Sequence, residues 1–168
     1  MQRLLLFILI TMVAPASPGQ TTAVHPCNAP ECSQFDFWLG EWELTWNDTT
    51  KGTNSIKKIL DGSVVSENFN DPGGHYQGMS WSMYNFQKRQ WQQTWVDNQG
   101  GYIILTGNYN NGEMILSTQP VVSAQGKTIV SRMKFYHIQA ASFDWNWESS
   151  TDNKTWNLNW KIHYQRNK

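Results

Sequence analysis

The chain has 168 residues, which is too short for more than one ordinary domain, and its 13 Lys and Arg balance its 13 Asp and Glu. A formal net charge of zero disfavours nucleic-acid binding and charge-driven binding to anionic membranes. The 10 Trp, 6 Tyr and 7 Phe make up 14% of the residues, which predicts a folded core and argues against a disordered chain.

Residues 1–19 have the pattern of a secretory signal peptide. Arg3 precedes an apolar run over residues 4–13, and small residues follow at positions suited to cleavage. A membrane anchor would need about 20 apolar residues. We therefore predict cleavage, a secreted or periplasmic location, and no membrane insertion of the mature chain.

Residues 20–34 form a lead-in that contains proline and both cysteines. In an exported protein, Cys27 and Cys32 predict a disulfide across a short loop. A metal site that adds His25 to the cysteines is the less favoured alternative, because the four histidines are scattered. No metal ion and no cofactor is predicted.

Residues 35–168 alternate between apolar and polar positions, which predicts one all-β domain. A helical turn over residues 33–39 is expected to cover one end of it. Ten hairpin-connected strands favour closure into a single antiparallel up-and-down β-barrel. An immunoglobulin-like sandwich is the alternative, but its Cys…Trp…Cys pattern is missing. The predicted strands span residues 40–47, 53–60, 64–68, 76–84, 91–97, 102–108, 113–118, 128–137, 142–149 and 155–165.

The segment FDFWLGEWEL at residues 35–44 resembles the opening of a family of secreted, mostly bacterial proteins of unknown function with a lipocalin-like barrel. Its Gly40-Glu41-Trp42 is similar to the Gly-x-Trp that begins the first strand of lipocalins and other calycins. The resemblance covers nearly the whole mature chain and continues through residues 59–62, Glu67, residues 91–97, Trp147-Glu148, Asp152 and Thr155-Trp156. The resemblance implies a lipocalin-like fold but no particular activity. It also implies that Arg166 packs across Trp42, so that Gly40, Trp42 and Arg166 serve the structure.

The alternation gives each strand an apolar face, which we expect to point into the barrel. Its rings either fill the core or line a cavity for an apolar or aromatic ligand. We predict that Trp81, Trp95, Trp147 and Trp160 form the walls of such a cavity. On three strands the predicted inward residues are Met79, Trp81 and Met83; Phe143, Trp145 and Trp147; and Trp156, Leu158, Trp160, Ile162 and Tyr164.

Some polar residues are in phase with the apolar faces, where burial costs free energy unless they find a partner or a ligand. We predict that Glu67, Gln93 and Arg132 contact the polar group of the ligand. An internal pair between Arg132 and a carboxylate is the alternative. Asp97 is also in phase, but it adjoins a turn and is expected to serve that turn.

These features predict an exported protein, monomer or homodimer, that holds a small hydrophobic or aromatic molecule inside the barrel. The alternative is an enzyme that uses Glu67 as general acid or base. No nucleophile motif favours catalysis, so whether the chain is an enzyme stays open. Haem binding through His163 is disfavoured because this residue lies opposite the tryptophans. Carbohydrate binding by Trp38, Trp46 and Trp91 near strand ends is a further possibility.

Overall fold

The computed structural model describes residues 29–47 and 49–167, and 63% of these residues are strand and 5% are helix. The predicted signal peptide and Cys27 lie outside these residues, and so does the predicted bridge from Cys27 to Cys32. In the described part, no helix is long and apolar enough to cross a membrane.

Ten antiparallel strands close into a barrel, which confirms the predicted fold class. Each strand pairs with the next along the chain, and the last pairs with the first. The two-residue β8 pairs with the start of β9 and was not predicted. The strands are β1 (Gly40–Trp46), β2 (Thr50–Ile59), β3 (Val64–Asp71), β4 (Tyr76–Asn85), β5 (Gln90–Asp97), β6 (Tyr102–Asn110), β7 (Glu113–Ser117), β8 (Val121–Val122), β9 (Thr128–Tyr136), β10 (Ser142–Ser150) and β11 (Asn157–Arg166).

The hairpin turns follow from local residue chemistry. Between β6 and β7, Asn111 and Gly112 both have positive φ, at 51° and 82°. These are the residue types that adopt this backbone conformation with the least strain, and turns of this kind match the twist of paired strands. Such turns make a chain of consecutive hairpins the natural route to an up-and-down barrel.

One end of the barrel is closed by an N-terminal plug, residues 29–39, which contains two 3₁₀ helices at Pro30–Ser33 and Asp36–Trp38. The rings of Phe35 and Trp38 are 0% and 1% exposed. They pack against Phe135, whose ring centroid lies 5.6 Å from Phe35 and 5.1 Å from Trp38. The predicted helical turn over residues 33–39 is thus present as 3₁₀ structure, and it forms the closed end.

The first and last strands meet at this closed end. The guanidinium of Arg166 lies 4.2 Å from the ring centroid of Trp42 and donates hydrogen bonds to the carbonyls of Leu39 (2.7 Å) and Phe37 (3.4 Å). Gly40 has a φ of 122°, and a side chain there would collide with Arg166. The indole of Trp42 donates to the carbonyl of Trp38 at 2.7 Å. This geometry holds the plug on the barrel, and Arg166 packs across Trp42 as predicted.

The predicted inward face of β4 is wrong. Ser80 and Ser82 are 0% exposed inside the barrel, whereas Met79, Trp81 and Met83 are 38%, 40% and 48% exposed on its outer surface. The reason lies in the register, because Ser80 is opposite Glu67 on β3 and Ser82 is opposite Gln93 on β5. The inward side chains of Glu67 and Gln93 both need hydrogen-bonding neighbours. This requirement outweighs the burial of the larger apolar side chains of β4.

The predicted alternation of β11 is also wrong at its start. The register between β10 and β11 shifts at Trp147, so that Trp147 is opposite Trp160 while Glu148 is opposite Leu158. Asn159 is therefore an extra residue, and such a β-bulge reverses the facing of the residues beyond it. Leu158 is 56% exposed on the outside, whereas Ile162 and Tyr164 are buried inside as predicted.

Candidate functional site: an aromatic cavity with a buried carboxyl group

A cavity of about 120 Å³ lies inside the barrel above the N-terminal plug. Trp38 of the plug and Phe135 belong to its lining, next to the fully buried closed end. Aromatic and aliphatic side chains supply most of the wall, and the acidic residue in it is Glu67. Apolar walls with a few well-placed polar groups are typical of sites for small molecules.

Glu67 is 5% exposed and is held by neutral partners. The hydroxyl of Ser80 donates to its Oε2 at 2.5 Å, and the amide of Asn54 donates to its Oε1 at 2.7 Å. The same amide donates to the hydroxyl of Tyr164 at 3.2 Å. The side chains come from β2, β3, β4 and β11, so barrel closure is what brings them together.

Burial raises the pKa of Glu67 from 4.5 to about 7, although the hydrogen bonds from Ser80 and Asn54 act in the opposite direction. Burial also raises the pKa of Tyr164 well above 10, and the nearby charge of Glu67 adds to that effect. The carboxyl group can therefore exchange a proton near neutral pH, while the tyrosine stays neutral.

Other polar atoms inside the barrel also lie away from water. The amide of Gln93 donates to the hydroxyl of Ser82 at 2.9 Å. Among the described residues, no hydrogen-bond partner is found for the buried Nε1 of Trp38, Oδ1 of Asn54 or Oε1 of Gln93. Buried polar groups usually have a partner, so the unpaired Nε1 of Trp38, which lines the cavity, is available to a polar ligand or water.

The opposite end of the barrel is lined by a group of aromatic side chains that we call the open-end rings. Several contact each other edge to face, as Trp145 and Trp160 do at a centroid distance of 5.8 Å. Except for the buried Phe69, these rings are partly exposed, unlike those of the plug. The open-end rings are Phe69, Tyr76, Trp95, Trp145, Trp147 and Trp160, all of which line the cavity.

Asp97 fixes the orientation of two open-end rings. Its Oδ2 accepts hydrogen bonds from Tyr76 and from Trp95, both at 3.0 Å. Its Oδ1 accepts from the backbone of Gln99 and Gly101, so Asp97 serves the turn as predicted. Desolvation opposes ionisation of Asp97, but these hydrogen bonds lower its pKa below the usual value. Desolvation and the contact with Asp97 raise the pKa of Tyr76 to about 12.

Arg132 does not reach the cavity, so the predicted position of this residue is wrong. It is opposite Glu148 on β10 and Ser117 on β7, and its neighbour Met133 takes the inward position. Its Nε lies 2.6 Å from Oε2 of Glu148, and its guanidinium lies 3.8 Å from the ring centroid of Trp156. The alternative of an Arg132–carboxylate pair is therefore realised, but on the outer surface.

The predicted site residues thus divide into two groups. Glu67, Trp95, Trp147 and Trp160 line one cavity, and Gln93 is buried inside the barrel close to the closed-end residue Trp91. Trp81 and Arg132 lie outside. Sequence reasoning missed Asn54 and Ser80 beside Glu67, and it placed Tyr164 inward without assigning it to the site. Small or polar residues on strands predicted to pair with that of Glu67 would have been the available signal.

The residues named as alternatives for haem and carbohydrate binding are not positioned for those roles. His163 is on the outer face, where its Nδ1 lies 2.9 Å from Asp144. Trp38 and Trp91 are 1% and 2% exposed, so the prediction that they could stack on a carbohydrate at the surface is wrong. Trp46 is buried at the open end against Trp160 and Phe69.

Within the described ranges, no group of three or more His, Cys, Asp or Glu side chains is placed to hold a metal ion. Comparison with protein-family models and with curated proteins found no match to this chain.

Proposed function

We propose that this protein binds a small, mainly apolar or aromatic molecule inside the barrel, between the N-terminal plug and the open-end rings. The observation that carries the proposal is the cavity of about 120 Å³, walled by aromatic side chains and containing one buried carboxyl group. Aromatic rings offer such a molecule a large apolar contact area, and a single polar group can fix its orientation.

Two adjacent residues of β6 provide a matched test. Ile103 lines the cavity, whereas Ile104 is 51% exposed on the outer surface. We expect toluene to quench tryptophan fluorescence saturably in the wild type and in Ile104→Phe. In Ile103→Phe the larger side chain should take up part of the cavity and weaken the binding. Equal binding by both variants would place the toluene site elsewhere, and no binding to the wild type would refute the proposal.

General acid or base catalysis by Glu67 is the second candidate function. It is favoured by one observation, the pKa of about 7, because a catalytic group works best with a pKa near the operating pH. A compound that binds in the cavity and is converted to product by the wild type, but only bound by Glu67→Gln, would support it. Unchanged recovery of every bound compound would favour binding alone.

The signal-peptide pattern of residues 1–19 supports a proposal about location. We propose that the chain is exported, with cleavage near residue 19 and a bridge between Cys27 and Cys32. Mass measurement of the intact secreted protein, before and after reduction and thiol alkylation, tests both. A retained N-terminus or two reactive thiols would contradict them.

A further inference from the structure

Glu67 is a buried acid without a cationic partner. Its side-chain hydrogen bonds come from the neutral groups of Ser80 and Asn54. None of the ion pairs formed within the described part of the chain includes it. A carboxylate has room for about four hydrogen bonds, so it can accept more from a ligand. Since Arg132 lies outside, the positive charge that would balance Glu67 can come from the ligand.

The remaining wall also suits a cation. The open-end rings line the same cavity as Glu67. The faces of aromatic rings carry partial negative charge and attract ammonium groups, most strongly where water is excluded. An anionic ligand would instead meet repulsion from ionised Glu67, and a neutral one would leave its charge unbalanced.

The volume sets the size of the enclosed part of the ligand. A protein cavity of about 150 Å³ holds benzene, which has six non-hydrogen atoms. In proportion, a cavity of about 120 Å³ encloses about five such atoms. A longer ligand would extend between the partly exposed open-end rings.

We infer that the cavity binds a small organic ammonium ion, with the ammonium group beside Glu67 and the hydrocarbon part against the open-end rings. This inference rests on the proposed function and narrows it to one chemical class of ligand. In this arrangement the buried carboxylate of Glu67 pairs with the positive charge of the ligand.

Three probes of similar size separate charge from shape. n-Butylamine and 1-butanol each have five non-hydrogen atoms, and butyrate supplies the opposite charge on a molecule that also has four carbon atoms. Isothermal titration calorimetry of the wild type at pH 8, where Glu67 is ionised and the amine protonated, should show n-butylamine binding at least about tenfold more tightly than 1-butanol. Butyrate should bind most weakly.

Two variants assign the effect to Glu67. Glu67→Gln keeps an oxygen acceptor for Ser80 or Asn54 and should lose at least about tenfold in affinity for n-butylamine while 1-butanol changes little. Glu43→Gln removes the same charge from an exposed position on β1 and should leave both affinities unchanged. Comparison of the three probes on the wild type needs no variant, so a folding defect in Glu67→Gln would not obscure the result.

The outcomes separate the two proposals. If 1-butanol and toluene bind and n-butylamine binds no more tightly than 1-butanol, the ammonium inference is overturned while the proposed function stands. If none of the probes binds to the wild type, both are overturned. An equal loss of n-butylamine affinity in Glu43→Gln and Glu67→Gln would assign the effect to overall charge and would also overturn the inference.

Discussion

At the closed end of the barrel, Phe35, Trp38 and Trp42 are 0–1% exposed, whereas at the open end Trp95, Trp145, Trp147 and Trp160 keep part of their surface in solvent. The closed-end rings are locked by contacts within the chain, including the hydrogen bond from Trp42 to Trp38 and the stacking of Arg166 on Trp42. The open-end rings border a cavity. The same residue types thus stabilise the fold at one end and form a candidate binding surface at the other.

The largest expected difference between the two ends concerns the free energy of unfolding. Trp42→Ala removes a fully buried ring and should lower the free energy of unfolding by about 3–5 kcal/mol. Trp147→Ala should cost only about 1–2 kcal/mol, because that ring is already partly exposed. Urea unfolding measures both. Similar losses for the two variants would mean that the open end is packed as a structural core and would remove the distinction.

The next effect concerns Glu67, which lies between the two ends. Its pKa rises from 4.5 to about 7 on folding, so the folded state retains a proton that the unfolded state releases between these values. Wild-type stability should therefore decrease as pH rises from 4 to 8, by about 3 kcal/mol through this group. Tyr164 and Tyr76 stay neutral throughout, because both pKa values are raised.

Glu67→Gln isolates this contribution. The difference in unfolding free energy, variant minus wild type, should increase by about 3 kcal/mol from pH 4 to pH 8, because the variant has no proton to lose. Urea titrations across this range give the value. A difference that does not vary with pH would show that Glu67 has an ordinary pKa and is accessible to water.

A smaller effect is expected from Arg166, which ties the plug to the last strand. Arg166→Ala removes charged hydrogen bonds to Leu39 and Phe37 and the contact with Trp42, so it should cost about 2 kcal/mol in urea unfolding. Lys161→Ala, at an exposed position of the same strand, is the control and should have almost no effect. A loss no greater than that of the control would mean that the plug stays in place without Arg166.

The smallest expected effect concerns Trp81, which belongs to neither end of the barrel. Trp81→Ser alters an outward ring of β4 and should change stability by no more than about 0.5 kcal/mol, with toluene binding unchanged. Trp95→Ser, on the cavity side, should weaken toluene binding. Loss of binding in Trp81→Ser would contradict the orientation of β4.

The barrel and part of the site could be predicted from the sequence because strand periodicity and turn residues are local signals. The inward position of Glu67 followed from its phase with Val65 and Phe69, which are both buried. The inward face of β4 could not be read from hydrophobicity. It depends on which side chains Glu67 and Gln93 meet across the sheet, and that is set by strand register.

The wrong predictions for Leu158 and Arg132 also arose because their positions depend on residues that are distant in the sequence. The bulge at Asn159 reverses the facing of Leu158, and an extra residue of this kind leaves no trace in a simple apolar-polar alternation. Arg132 was expected inside because it shares a phase with Val130. Its actual partners, Glu148 and Trp156, come from β10 and the segment before β11.

The position of one ring in the cavity wall depends on Gly78, a residue that has no side chain. Any Cβ at this position would collide with the ring of Trp95, which lies directly against the β4 backbone. Gly78→Ala would therefore force Trp95 away from the strand, and the space available to a ligand would change without any substitution in the cavity lining. The shape of this cavity therefore depends on a position behind its wall, which a comparison limited to the lining residues would overlook.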